Sequence, residues 1–122
     1  MKPKNFIPAA ALALATAILT PPAAADTGTV TAFVNRTQVT ADASFGGCMA
    51  QLSVDPASIL PVCGANWVTF SCTGDFTDQV RAYRMLDQAQ LALAANKQVL
   101  VQFTDTSLHN GYCFASRIDV VK

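Results

Sequence analysis

His109 is the only histidine of the chain, and Ser107 and Asp105 lie within four positions of it. These are the residue types of a nucleophilic triad, in which imidazole takes the hydroxyl proton and a carboxylate orients the ring. Triad members are brought together from separate elements around an oxyanion hole, whereas these three share one short loop. The sequence therefore gives no catalytic residue, and His109 reads as the tip of an exposed hairpin. A paired-carboxylate mechanism fares no better. There is no glutamate, and the eight aspartates are scattered, mostly where caps and turns favour them.

Four cysteines remain: Cys48, Cys63, Cys72 and Cys113. Zinc ligands arrive in close pairs such as C-x₂₋₄-C, but here fourteen, eight and forty residues intervene. Neither a metal nor a cofactor is expected. An even count in a small exported domain reads instead as a disulfide framework. If 47–54 and 67–72 form a hairpin with Val54 opposite Asn66, Cys48 faces Cys72, within the distance a disulfide spans. That register favours Cys48–Cys72 with Cys63–Cys113. Cys48–Cys63 with Cys72–Cys113 is the competing set, and each bridge is worth about 2–4 kcal/mol.

Among residues that could touch a ligand, Arg36 and Tyr112 stand at a strand bend and a strand end. Trp67, the lone tryptophan, has a ring face of the kind that stacks on a sugar. Within a Val/Phe strand it reads as core, its N–H satisfied by a neighbour. Asn35-Arg36-Thr37 matches a glycosylation sequon, which is read as chance.

The elements that must position these residues follow from period and punctuation. Residues 29–41 are rich in Val and Thr and nearly alternate, predicting one bent strand or two short ones, with the bend at Asn35-Arg36. Strands follow at 47–54 and 67–72, separated by a turn-rich stretch with Asp55-Pro56 and Leu60-Pro61. Between 73 and 96 the period changes to that of a helix. Ala82, Tyr83, Leu86, Ala89 and Leu93 mark its buried face, Asp75 or Thr77 caps its start, and Asn96 ends it in a left-handed cap. Residues 99–104 and 112–121 alternate again around the hairpin pair Asn110-Gly111. Strands, one helix, then two more strands predict a mainly β fold with one helix. The closest layout is a five-stranded Greek-key barrel of OB-fold type, its helix between strands three and four.

The N-terminus carries Lys2 and Lys4, then an apolar run from Phe6 to Thr20, then Pro21-Pro22 and Ala23-Ala24-Ala25. This is the order of a signal peptide, 1–25, with an A-x-A cleavage site. The run of fifteen residues, which contains Pro8, is shorter than the roughly 20 a spanning helix needs. Removal would leave a single disulfide-stabilised domain, 26–122, with no membrane span, in the periplasm or outside the cell. Six bases against eight acids would give it a charge of −2. Without a basic patch, nucleic acid is excluded as a partner.

Within 47–121 the pieces Cys63, Trp67-Val68-Thr69-Phe70, Leu86–Asn96, Lys97–Val101 and Asn110-Gly111-Tyr112-Cys113 share a layout with small exported bacterial proteins. The chain resembles the B subunits of AB5 toxins of the subtilase-cytotoxin and pertussis-like type. That resemblance implies an OB-fold, a ring-forming homo-oligomer and glycan binding without catalysis. No glycan-contacting residue of those toxins maps onto a position here. The other expectation is a stand-alone envelope protein, an inhibitor or structural subunit, acting through a protein partner with no small ligand.

Overall fold

The computed structural model describes residues 1–5, 8–19 and 26–122. The expected cleavage site at Ala23–Ala25 lies outside the described residues. Residues 8–19 form neither helix nor strand and leave Leu12, Leu14, Ile18 and Leu19 exposed, away from the core. No helix among the described residues is long and apolar enough to cross a membrane.

The domain is mainly β, with five strands and one helix. In chain order these are β1 (Thr27–Val39), β2 (Cys48–Leu52), β3 (Trp67–Thr69), α1 (Gln79–Ala95), β4 (Gln98–His109) and β5 (Tyr112–Val121). Short 3₁₀ turns at Ser44–Gly46 and Pro56–Ser58 join them. In the sheet the order is β1-β2-β3-β5-β4, and β4 pairs back to β1, so the ladder closes on itself.

The long first strand makes closure possible. Its alternating side chains put Val30, Ala32 and Val34 in the core. A break in register between Val34 and Arg36 divides its pairing. The N-terminal half runs antiparallel to β4, from Thr27↔Thr104 to Phe33↔Gln98. The C-terminal half runs antiparallel to β2, from Val34↔Leu52 to Val39↔Cys48. An irregularity of this kind bends a strand and increases its twist, which lets one chain segment serve two neighbours. Strands β4 and β5 form the longest hairpin, turned by Asn110 and Gly111 at φ 52° and 87°. Two consecutive positive φ angles suit the right-handed twist of the strands they join. β3 meets β5 in parallel at Thr69↔Phe114.

Helix α1 starts at Asp78, whose carboxylate accepts from the Arg81 N–H, and ends at Asn96 with φ 50°. The cap is therefore neither Asp75 nor Thr77; both lie in the loop before it, and only Asp78 combines extended backbone with a reachable first-turn N–H. The buried face is Ala82, Leu86, Ala89 and Ala92. Tyr83 and Leu93 fall outside it and are exposed, because small alanines allow the helix close approach along a narrower stripe.

The hairpin register also differs from expectation. Observed pairs are Met49↔Thr69, Ala50↔Val68 and Gln51↔Trp67, a slip of two residues that keeps each side chain on its face. Phe70, not Cys72, stands across from Cys48 and donates its N–H to the Cys48 carbonyl (3.1 Å). β3 then ends, Ser71 turns at φ 59°, and Cys72 returns over Cys48 with their Cα atoms 5.6 Å apart. Two disulfides form, Cys48–Cys72 and Cys63–Cys113, the latter spanning 5.1 Å between Cα atoms.

Candidate functional site

The side chain of His109 is not at an exposed tip. β4 continues through Asp105 and Ser107 to His109 itself, and the imidazole turns inward, 12% exposed. Its Nε2 lies 2.9 Å from the hydroxyl of Ser71 and 3.7 Å from Asp75 Oδ2. The histidine thus acquires a serine and an aspartate, though neither is the sequence neighbour. Asp105 instead ties the entry to β1, accepting from the Asp26 N–H at 3.0 Å.

The geometry of this cluster is that of a structural latch. Ser71 is fully buried, and its hydroxyl already accepts from the Phe76 N–H at 3.1 Å. Its single proton is then free to point at Nε2 when that nitrogen is unprotonated. Serine and aspartate both approach the same ring nitrogen, whereas a triad carboxylate orients the ring from the opposite nitrogen, and among the described residues none is found there. The Phe76 ring stacks on the imidazole, centroids 4.3 Å apart and tilted by 35°. Gly46 makes room for the ring: a Cβ there would lie 2.5 Å from His109 Cδ2 and from Thr69 Oγ1. Burial lowers the His109 pKa, and the nearby Asp75 carboxylate only partly offsets it. The latch fixes the loop between β3 and α1.

On another part of the surface, the two residues named as surface contacts each neighbour Trp67 or the notch it lines. Tyr112, at the start of β5, and Trp67, at the start of β3, line a small notch with Gln38, Phe45 and Met49. Its volume is about 120 Å³. Arg36 holds its guanidinium 5.6 Å from the Trp67 ring centroid, a cation–π arrangement. Trp67 is therefore half-buried at the edge of this notch rather than in the core.

Each wall has a local cause. Phe45 meets Tyr112 edge-on, centroids 5.7 Å apart at 64°, from a backbone at φ 57°. A bulky residue is uncommon in that region. Holding it there costs about 1–3 kcal/mol, which the surrounding structure must offset. Tyr112 is backed by Gly64, where a Cβ would sit 2.6 Å from the tyrosine Cδ1. The Gly64 N–H donates to the Gly111 carbonyl at 2.7 Å. The Cys63–Cys113 bridge joins the residues beside both. Sequence reasoning missed Gln38, Phe45 and Met49 as members of this notch. Nothing marked Ser71 or Asp75 as a partner of His109; Asp75 stood out only as a candidate helix cap.

Among the described residues no group of three or more His, Cys, Asp or Glu side chains could hold a metal ion. Compared with known protein families, curated proteins and solved structures, this chain matches none.

Proposed function

We propose that the chain is an exported, non-catalytic binding module of OB-fold type, and that the notch bounded by Trp67 and Tyr112 contacts a saccharide. The observation that carries the reading is the convergence of Trp67, Tyr112 and Phe45 with Gln38 around one concave surface, with the Arg36 guanidinium beside the Trp67 ring. Aromatic rings offer apolar faces to a sugar's C–H groups. The amide, phenol and guanidinium offer donors and acceptors to its hydroxyls. The strained backbone at Phe45 adds support, because such outliers cluster at functional sites.

The OB-fold assignment is supported by the closed strand order, the parallel β3–β5 contact and a chain order with α1 between β3 and β4. Export through a signal peptide at 1–25 is supported by the two disulfides, which persist in oxidising compartments. Ring assembly and the likeness to AB5 toxin B subunits belong to the same proposal.

A glycan array probed with the refolded 26–122 domain, alongside a solution mass measurement, tests it. Retention of a defined glycan class, lost in Trp67→Ala and Tyr112→Ala, is the expected result. A strict monomer that retains no glycan would remove the toxin-like reading. Capture of a specific envelope protein by an interface unaffected by Trp67→Ala would favour action through a protein partner.

A further inference from the structure

A second concavity lies away from the notch, between the first turns of α1 and the middle of β5. Its volume is about 550 Å³, within the range of small-molecule sites and well above what the notch offers. The walls are apolar: Phe76, Val80, Met85, Phe114 and Ile118. Arg81, Arg84 and Arg117 also line it, three of the four arginines in the chain.

Among the described residues, no acidic side chain lines this cleft. The carboxylates that pair with the arginines stand outside it. Arg81 reaches Asp78 at 3.2 Å through Nε, and Arg84 reaches Asp87 at 3.6 Å through one terminal nitrogen. A guanidinium carries five N–H donors in a fixed fork, so both keep most of theirs. Arg117 is more fully engaged, donating to both oxygens of Asp119. All three side chains are well exposed, and exposed ion pairs are worth only about 0–1 kcal/mol. An incoming anion that brings apolar surface would compete successfully with such partners. The lip of the cleft is fixed as well: Phe76 is pinned through its N–H by Ser71, stacks on His109 and packs on Phe114.

We propose that this cleft binds a small amphipathic anion, a carboxylate or sulfonate carried on an apolar ring or short chain. The apolar body rests on Phe76, Met85 and Phe114, and the acid group meets Arg81 and Arg84, with Arg117 at the far side. A neutral apolar molecule would gain the floor alone, and a bare inorganic anion the arginines alone. The site is independent of the saccharide notch and stands or falls separately from it.

The test is a titration of the 26–122 domain with naphthalene-2-sulfonate, followed by amide NMR shifts, with 2-naphthalenemethanol as the neutral counterpart. Saturable shifts are expected at Phe76, Val80, Met85, Phe114 and Ile118, with Trp67 and Tyr112 unmoved. Arg84→Ala and Arg81→Ala should each weaken binding roughly three- to fivefold, the range of a partly exposed ion pair. Raising the salt concentration should weaken it further. Equal binding of the neutral compound would overturn the proposal, as would shifts centred on the notch. So would no saturable shift up to about 5 mM, where a complex worth about 3 kcal/mol would register. The intrinsic fluorescence of Trp67, outside the cleft, reports whether each variant is folded.

Discussion

The notch and the cleft meet the same strand within three residues. Tyr112 lines the notch, Cys113 anchors a disulfide, and Phe114 lines the cleft. Their construction differs all the same. The notch is small, aromatic and set on strand ends beside the Cys63–Cys113 bridge, with a glycine pressed against its tyrosine. The cleft is larger and charged, and one wall is a helix held by a narrow alanine stripe. Covalent and backbone constraints preorganise the first, whereas side-chain packing and the hydrogen bond that pins Phe76 to Ser71 shape the second. A rigid aromatic surface suits a ligand that is recognised by shape, and flexible guanidinium groups suit one recognised by charge.

Perturbations separate the two regions, and the largest should come from the floor of the cleft. Phe114→Ala removes a buried ring and should cost about 3–5 kcal/mol in a urea unfolding curve. If notch binding survives at low temperature in this variant, the regions are energetically distinct. Next comes the double change Cys63→Ser with Cys113→Ser, expected to lose about 2–4 kcal/mol and to loosen the notch first. On loop length, 50 residues against 24, this pair should matter more than Cys48–Cys72 by about 0.7 kcal/mol. Equal losses would show that native strain or residual unfolded structure dominates.

Asp78→Ala takes the cap from α1 and the partner from Arg81, so about 1 kcal/mol of stability should go. In the notch nothing should change, which Trp67 fluorescence would verify. A milder effect comes from pH. His109 has a lowered pKa in the folded state, so near pH 6.5 the unfolded chain binds more protons and stability rises with pH. The contribution is complete above the unfolded pKa of about 6.5 and fades as pH falls below it toward the lowered folded value, no faster than about 1.4 kcal/mol per unit for one proton. His109→Gln should flatten that slope. The hydrogen bonds from Arg117 hold the Asp119 carboxyl below its ordinary value, so its stabilisation is present above that value and is lost only at lower pH, clear of the histidine window. Smallest is Arg36→Ala, about 0.5–1 kcal/mol from the exposed cation–π contact, seen most directly as a change in Trp67 emission.

Much of the scaffold was legible in the residues. Alternation gave the strands, a 3.6-residue period gave α1, and Asn110-Gly111 gave the last turn, because each is a local preference of the chain. The slip of the β2–β3 register was not legible. It depends on where Ser71 turns at φ 59°, a choice made by its buried hydrogen bonds to Thr69 and the loop. For the same reason His109 read as exposed: its partners lie 38 and 34 positions earlier in the chain. At the notch, Arg36 and Tyr112 could be named from their places at a bend and an end, but not the phenylalanine that completes it.

Serine, histidine and aspartate opened the reading as a possible chemistry and end as a latch on the loop that carries Phe76. What the sequence determined by itself was the inventory: four cysteines, one histidine, alternating strands and a single helical period. Tertiary structure decided which of these meet. Local propensities act over a few residues, while the His109 latch, the notch and the arginine cleft each join groups from opposite parts of the chain. Only closure of the sheet brings those groups within hydrogen-bonding or packing distance.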